Sequence, residues 1–495
     1  MRTGADYRNS LRDGRRVFIL GEGQVDDVTT HPATRAMVEQ YVAWYDRHAD
    51  PAWKDTLFRP DGAAIDYLVP RAPDDLVRMG KCFSATTFLS AGNITHTPAY
   101  GHMIALGVLH AVGLRASGSK GASPEQVANA EAYRAEIART GRFLTFAAGA
   151  APIGFRLRDN PADRVAIKIV GRSEAGVTLR GKIGMHTSPA FAEDVYIGAV
   201  NGADLDGHRA TFVVPVNAKG VTVICRHRAT RDDNPVTSPL STQFDELDGQ
   251  MWLDDVVVPW NRVFLTDFSP EPVARWLFWH QLYCWLSKAE FTLGLALACT
   301  QAMGLLHHEL TLDYLLDLIT DVQTVRACQT AAERDPDTTP EGYCAPNQSH
   351  LAAGSIAMLK ARRRMAEILR ILPGSSLVVA PSDRDLSDAA LAKGLEESFA
   401  GGGYTARQRA ALLQLAWDHV GSALDHREHV FELHANGGEY SWRGRLRRSF
   451  NRYNELANAV LMHIDGPMPA VNLDAIRDAP LAARRPVAPP RPGER

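Results

Sequence analysis

The chain has 495 residues, 45% of them hydrophobic and 22% charged, with a formal net charge of −3. That is the composition of a globular protein with room for two or three domains, and it leaves no basic footprint for nucleic acid or an anionic membrane. Six scattered cysteines without a CxxC pair argue for reduced, buried thiols rather than a disulfide framework, the opening residues carry no apolar signal core, and no apolar run reaches bilayer length, so a soluble cytoplasmic protein is expected.

Residues 1–143 read as mainly helical after a short extended start at 15–20. Thr30, His31 and Pro32 supply a cap and an early proline, and Met37, Val38, Tyr41, Val42 and Tyr45 follow at helical spacing. Further apolar patterns predict helices over 75–89, 102–114 and 124–137. Ser123, Pro124 and Glu125 open the last with a cap, a favoured first-turn proline and an acid that suits the helix dipole.

Over 144–266 the period changes. Short β-rich runs at 165–170, 177–183, 194–200, 211–216, 221–225 and 251–258 alternate with Gly, Asp and Asn clusters, which predicts a small barrel or sandwich. The last run lies in residues 244–264, FDELDGQMWLDDVVVPWNRVF. An acidic turn of Asp245, Glu246, Asp248 and Gly249 feeds a buried strand that Pro259 ends, because proline gives no N–H to a sheet ladder. This stretch is the seam of the chain. Beyond it, helices are predicted over 289–307, 314–333, 350–372, 385–397 and 405–433, rich in Ala and Leu as a four-helix-type bundle requires. The partition is an N-terminal mainly helical domain (1–143), a central β domain (144–266), a C-terminal helical bundle (267–478) and a Pro/Arg-rich tail (479–495).

Several stretches carry a likeness. The opening MRTGADYRNSLRDGRRVFILGEGQVDDVTTHPATR, residues 210–226 (ATFVVPVNAKGVTVICR), residues 244–264, residues 372–386 (LPGSSLVVAPSDRDL) and residues 415–433 (LAWDHVGSALDHREHVFEL) resemble, in order, the 4-hydroxyphenylacetate 3-hydroxylase family. This is the large oxygenase component of two-component flavin monooxygenases. The resemblance implies an α+β, acyl-CoA dehydrogenase-like fold and a homotetramer or homodimer. It also implies reduced FAD (FADH2) supplied by a separate NAD(P)H:flavin reductase, molecular oxygen as co-substrate, and hydroxylation of a small aromatic substrate through a flavin hydroperoxide. No GxGxxG follows a predicted strand, which agrees with a chain that need not bind NAD(P)H. The protein's own task would be to exclude water, orient the substrate and favour the phenolate.

The chain departs from the family at the substrate motif. Where the family reads Arg-Ser-Pro-Asp-Tyr, this chain has His96, Thr97, Pro98, Ala99 and Tyr100. Where the family has a Thr-His-Ala run, it has Thr145, Phe146 and Ala147. A fixed guanidinium charge is thus replaced by a ring that titrates near neutrality. The expectation is a bulkier or less charged aromatic than 4-hydroxyphenylacetate, with Tyr100 and His96 as catalytic candidates and Phe146 as an apolar wall. Phe191 lines the pocket or is a core aromatic.

Flavin-binding candidates implied by the resemblance are the run His186, Thr187 and Ser188, favoured over an ordinary strand-end turn, and Pro152, Arg156, Ser375, Ser376, Asn436, Gly437 and Gly438, for which a surface position or a helix-capping loop is the alternative. His102, His280, His307 and His308 read as packed or surface helix residues. No metal ligand set is expected. A dehydratase of the 4-hydroxybutyryl-CoA type needs three cysteines and a histidine around an iron–sulfur cluster, and the N-terminal domain offers only Cys82. A flavin-dependent oxidase or dehydrogenase is the other alternative.

Overall fold

The structure, a computed structural model, describes every residue except 1, 118–121, 148–150, 199–203, 206–207, 267–270, 340, 435–437, 465, 467 and 479–495. The tail at 479–495 and the candidates Asn436 and Gly437 therefore lie outside the described residues. The chain starts with a helix, Gly4–Ser10, that the sequence reading missed. Thr3 Oγ1 accepts from the Asp6 N–H and Asp6 reaches back to the Thr3 backbone, a reciprocal cap that starts a helix with little apolar periodicity.

Among the described residues, eleven strands form one sheet: β1 (Val17–Ile19), β2 (Gly23–Val25), β3 (Leu144–Ala147), β4 (Ile167–Ser173), β5 (Gly176–His186), β6 (Asp194–Ile197), β7 (Asp204–Leu205), β8 (His208–Pro215), β9 (Val221–Cys225), β10 (Gly249–Val258) and β11 (Val263–Thr266). The order is β11-β8-β6-β3-β5-β10-β9-β1-β2, with β4 on β5 and β7 on β8. β10, the strand of the seam, lies between β5 and β9 with Met251, Leu253, Val256 and Val258 buried. Gly249 opens it because a Cβ there would sit 2.3 Å from Ile224 O. β1 runs parallel to β9, so the N-terminal segment is sewn into the sheet.

Eight helices position the site: α1 (Arg35–Asp46), α2 (Pro73–Phe88), α3 (Pro98–Ser117), α4 (Glu271–Ala302), α5 (Glu309–Arg334), α6 (Gln348–Ile371), α7 (Ala406–Val420) and α8 (Ala423–His434). α4 is 32 residues long and starts well before the expected 289, because Trp276, Trp279 and Trp285 are fully buried and extend its packing face. The helix expected over 405–433 is broken between α7 and α8. Ser422 Oγ accepts from the Asp425 N–H at 3.1 Å and so restarts the chain as a capped second helix. The helix expected over 385–397 is likewise two short ones, Asp383–Ser387 and Ala392–Phe399. No described helix is long and apolar enough to cross a membrane.

Candidate active site

The site is built where the loop between α2 and α3 meets α4 and the two turns that flank β5 and β10. Gly92 lets this loop lie on α4: its φ is +71°, and a Cβ there would stand 2.2 Å from Cys284 O. Thr97 Oγ1 then accepts from the Tyr100 N–H at 3.3 Å, and Pro98 occupies the first position of α3, so the sequence Thr-Pro starts this helix. That start sets the His96 and Tyr100 rings 4.3 Å apart. α4 adds His280, whose ring centroid is 5.6 Å from Tyr100 and whose Nε2 is 3.1 Å from Thr97 Oγ1. One turn on, the Cys284 thiol lies 3.7 Å from His280 Nδ1 and donates to Ile94 O at 3.6 Å.

The acidic turn before β10 supplies the centre of the polar network. Glu246 is 1% exposed and accepts four hydrogen bonds, from Thr95 N (2.9 Å), Thr95 Oγ1 (2.6 Å), His96 N (2.9 Å) and Ser188 Oγ (3.0 Å). Tyr41 of α1 closes the ring of contacts, with its hydroxyl 3.0 Å from His96 O and 2.9 Å from Ser188 Oγ. Both turns that hold this carboxylate carry a non-glycine residue in left-handed backbone, Ser188 at φ 56° and Leu247 at φ 46°. Such strain persists only where surrounding contacts impose it.

Two positions on, Asp248 accepts from Thr187 Oγ1 at 2.8 Å and pairs with Arg226 and with Arg427 of α8. From Arg427 a buried ionic chain continues through Glu428, Lys288, Glu432 and Arg362 to Asp425. Burial works to raise Asp248, but Arg427 and Arg226 hold it below the usual carboxylate range. Burial pushes His96, His186 and His280 each down to about 3, so all three rings are neutral at pH 7. It pushes the Tyr100 phenol up, so this group too is uncharged.

The other sequence candidates fall differently. His186, at the end of β5, has its Nε2 2.7 Å from Thr145 Oγ1, while its buried Nδ1 has no partner among the described residues. Thr187 and Ser188 were expected to offer hydroxyls to flavin. Their hydroxyls donate to Asp248 and Glu246 and keep acceptor lone pairs, and both residues are buried beside the His186 ring. Phe146 leaves β3 on the face opposite Thr145, half-buried and stacked on Tyr196 at 5.8 Å; no ring contact joins it to His96 or Tyr100 among the described residues. Phe191 is fully buried against Tyr41, with a 5.8 Å ring separation, as an interior aromatic.

Pro152 precedes a short exposed helix, Ile153–Arg156, and Arg156 Nε donates to its own loop at Ala151 O. Ser375 and Ser376 sit on a 3-10 turn, Gly374–Leu377, beside the exposed Val378 and Val379. Gly438 starts another helix with φ +64°, and a Cβ there would stand 2.5 Å from Leu433 O. Sequence reasoning missed Thr95, Glu246, Tyr41 and His280 as site residues. The available signals were the two carboxylates packed before a buried strand, and a His and a Cys four apart inside the apolar run WLFWHQLYCWL.

Residues 3–265 match the family described as 4-hydroxyphenylacetate 3-hydroxylase N terminal, and residues 272–461 match its C-terminal counterpart. The chain belongs to the 4-hydroxyphenylacetate 3-hydroxylase family. It is 29% identical over 452 residues, 87% of this chain and 85% of the relative, to the oxygenase component of 4-nitrophenol 4-monooxygenase/4-nitrocatechol 2-monooxygenase from Rhodococcus opacus. It is 26% identical over 479 residues, 93% of this chain and 97% of the relative, to the oxygenase component of 4-hydroxyphenylacetate 3-monooxygenase from Thermus thermophilus.

In structure this family member resembles the oxygenase component of 4-hydroxyphenylacetate 3-monooxygenase complexed with FAD and 4-hydroxyphenylacetate, with a TM-score of 0.84 at 24% identity over 93% of this chain and 98% of the other. An archaeal 4-hydroxybutyryl-CoA dehydratase shares the fold at a TM-score of 0.78 and 17% identity, over 96% of this chain and 98% of the other. Among the described residues, no group of three or more His, Cys, Asp or Glu side chains could hold a metal ion.

Proposed function

We propose that this chain is the oxygenase component of a two-component flavin monooxygenase that hydroxylates an aromatic substrate, with reduced FAD supplied by a separate flavin reductase. Membership of the family over both of its regions carries this reading. Curated relatives include an FADH2-dependent monooxygenase from Burkholderia cepacia, 26% identical over 411 residues. The chain's residues fit such a cofactor in two respects. His186 offers a buried nitrogen without a partner at the end of β5, and the hydroxyls of Ser375 and Ser376 stand beside exposed apolar residues, where they would meet the cofactor from the bundle side. When bound, reduced FAD activates dioxygen and delivers one oxygen atom to an electron-rich carbon.

The protein's residues do the positioning. The Tyr100 hydroxyl, kept protonated by burial, donates a hydrogen bond to the reacting oxygen or to the substrate. His96 forms the polar end of the pocket. The neutral His280 ring, against Tyr100 and Phe83, is a third polar wall that stays uncharged through the reaction. The buried aromatic cluster of Tyr7, Tyr41, Phe143 and Phe191 keeps water from the back of this pocket. An exposed apolar face on the first turns of α5, Leu312, Leu316 and Ile319, is the surface on which copies of the chain would meet as a homodimer or homotetramer.

The test is direct. Purified protein is loaded with reduced FAD without air, then exposed to labelled dioxygen and a panel of phenols. One labelled oxygen atom should enter the product, and Tyr100→Phe should divert most reducing equivalents to hydrogen peroxide. Absence of label in every product rules the monooxygenase reading out; unchanged coupling in Tyr100→Phe removes Tyr100 from the chemistry.

A further inference from the structure

The hydroxyl of Thr95 lies between two acceptor-capable groups, 2.6 Å from Glu246 Oε2 and 2.8 Å from His96 Nδ1, yet it has one proton to give. Two backbone N–H groups, which can only donate, already point at Glu246, one at each oxygen: Thr95 N at Oε2 and His96 N at Oε1. The Ser188 hydroxyl adds a further donor. This is the environment of an ionised carboxylate, which accepts and cannot donate. Burial raises the Glu246 pKa above the usual carboxylate value, and hydrogen bonds from Thr95 and His96, with the charge of Arg427, restrain that rise; the set of donors around it is what marks the ionised form.

With Glu246 ionised, the Thr95 proton goes to the carboxylate, and the Thr95 oxygen is left to accept. Its contact with His96 then requires the ring to carry its proton on Nδ1. The same nitrogen stands 3.8 Å from Glu246 Oε1, where an N–H is favoured over a lone pair. A neutral imidazole has one N–H, so Nε2 keeps its lone pair. His96 Nε2 makes no hydrogen bond to protein among the described residues and is not among the fully sealed polar atoms. The His96 ring stands 4.3 Å from the ring of Tyr100.

Resting on the proposed aromatic monooxygenase reading, we infer that Glu246 and Thr95 are positioning residues that fix the His96 tautomer, so that Nε2 meets the substrate as a hydrogen-bond acceptor and selects a neutral aromatic O–H or N–H donor over a carboxylate-bearing one. An arginine at this position offers donors only and suits an anion. His96 held in this tautomer does the opposite: a substrate carboxylate would set lone pair against lone pair, whereas a phenol or an aromatic N–H completes the network. In the reaction Nε2 accepts the phenol's hydrogen bond, which raises electron density on the aromatic ring without placing a fixed charge in the pocket.

The probes are phenol and anisole, which differ by replacement of the O–H proton with a methyl group, with 4-hydroxyphenylacetate as the anionic comparison. Binding is measured by calorimetry on the full chain without turnover. The wild type should bind phenol about tenfold or more tighter than anisole, the size expected when a buried acceptor is left unpaired. Thr95→Ser should keep the preference, Thr95→Val should reduce it to about twofold, and His96→Arg should shift preference toward 4-hydroxyphenylacetate. A structural role alone would weaken both probes equally and leave their ratio intact. Because Thr95→Val could fail to fold, 15N-histidine labelling of the wild type gives a second reading: the His96 signal, assigned by its loss in His96→Gln, should show a protonated Nδ1 and a bare Nε2.

Equal binding of phenol and anisole by the wild type, no measurable binding of either, an unchanged ratio in a folded Thr95→Val, or a protonated Nε2 overturns the inference. These results are separate from the labelled-oxygen assay. Oxygen transfer with no phenol preference removes the tautomer argument alone, and a phenol preference without oxygen transfer removes the monooxygenase reading alone.

Discussion

Gly92 shows how much of the site hangs on single positions. Any side chain there meets the α4 backbone at Cys284 O, and the left-handed φ adds strain for a residue with a Cβ. Gly92→Ala should therefore cost roughly 1–3 kcal/mol of stability, measured by urea unfolding. Because the loop that carries Thr95 and His96 must lift away from α4, it should also weaken binding of an aromatic probe in the folded protein. A variant as stable and as tight-binding as the wild type would show that the loop does not need this close approach. His280 makes the complementary point: its ring is neutral by burial, and its neighbours Thr97, Phe83 and Tyr100 come from segments far from it in the chain.

At the scale of elements, α4, α6 and α8 are joined by buried charge. Lys288 is 1% exposed and lies 3.1 Å from Glu428 and 2.7 Å from Glu432, with Arg362 shared between Glu432 and Asp425. Burial works against the Lys288 charge, but Glu432 and Glu428 hold its pKa above the usual lysine value. Removing one member leaves carboxylates buried with too few cations. Lys288→Met should destabilise the protein by about 3–5 kcal/mol. The loss should be read as a lower denaturation midpoint in urea; a change under about 1 kcal/mol would mean that the network reorganises around the gap. Since Arg427 carries the same chain to Asp248 and the turn of Thr187, this variant should also loosen the sheet-side wall of the pocket.

Over the whole molecule, burial sets two opposed pH responses. His96, His186 and His280 sit near 3 in the folded state against 6.5 when exposed, so the unfolded chain binds protons that the native state refuses. Their contribution is present above pH 6.5 and is lost as pH falls from there toward 3. Glu333, which accepts from Trp279 and Tyr283 across the α4–α5 interface, is raised by burial from 4.5 to about 7. Its contribution is present below pH 4.5 and is lost as pH rises through 7. Glu333→Gln keeps an acceptor for both donors without the charge. It should match the wild type near pH 4.5 and exceed it above pH 7 by roughly 3 kcal/mol, as measured by thermal unfolding across pH. Equal pH profiles for the two proteins would contradict this assignment.

What the sequence determined alone was whatever local pattern controls. The strand over 251–258 was legible because β-branched residues run between an acidic turn and Pro259, and the long helices were legible from their apolar spacing. The helix expected over 102–114 proved to start earlier, at Pro98 after Thr97, which apolar spacing alone does not reveal. The tertiary structure alone decided what those residues touch. Glu246 lies 150 positions from His96, and His280 lies 183 from Thr97; no spacing rule links residues so far apart. The break between α7 and α8 was equally hidden, since Ser422 caps α8 without interrupting the apolar pattern. Periodicity reports the face that a residue presents, whereas the protonation and hydrogen-bonding role of a buried group is set by partners that only folding brings within 3 Å of it.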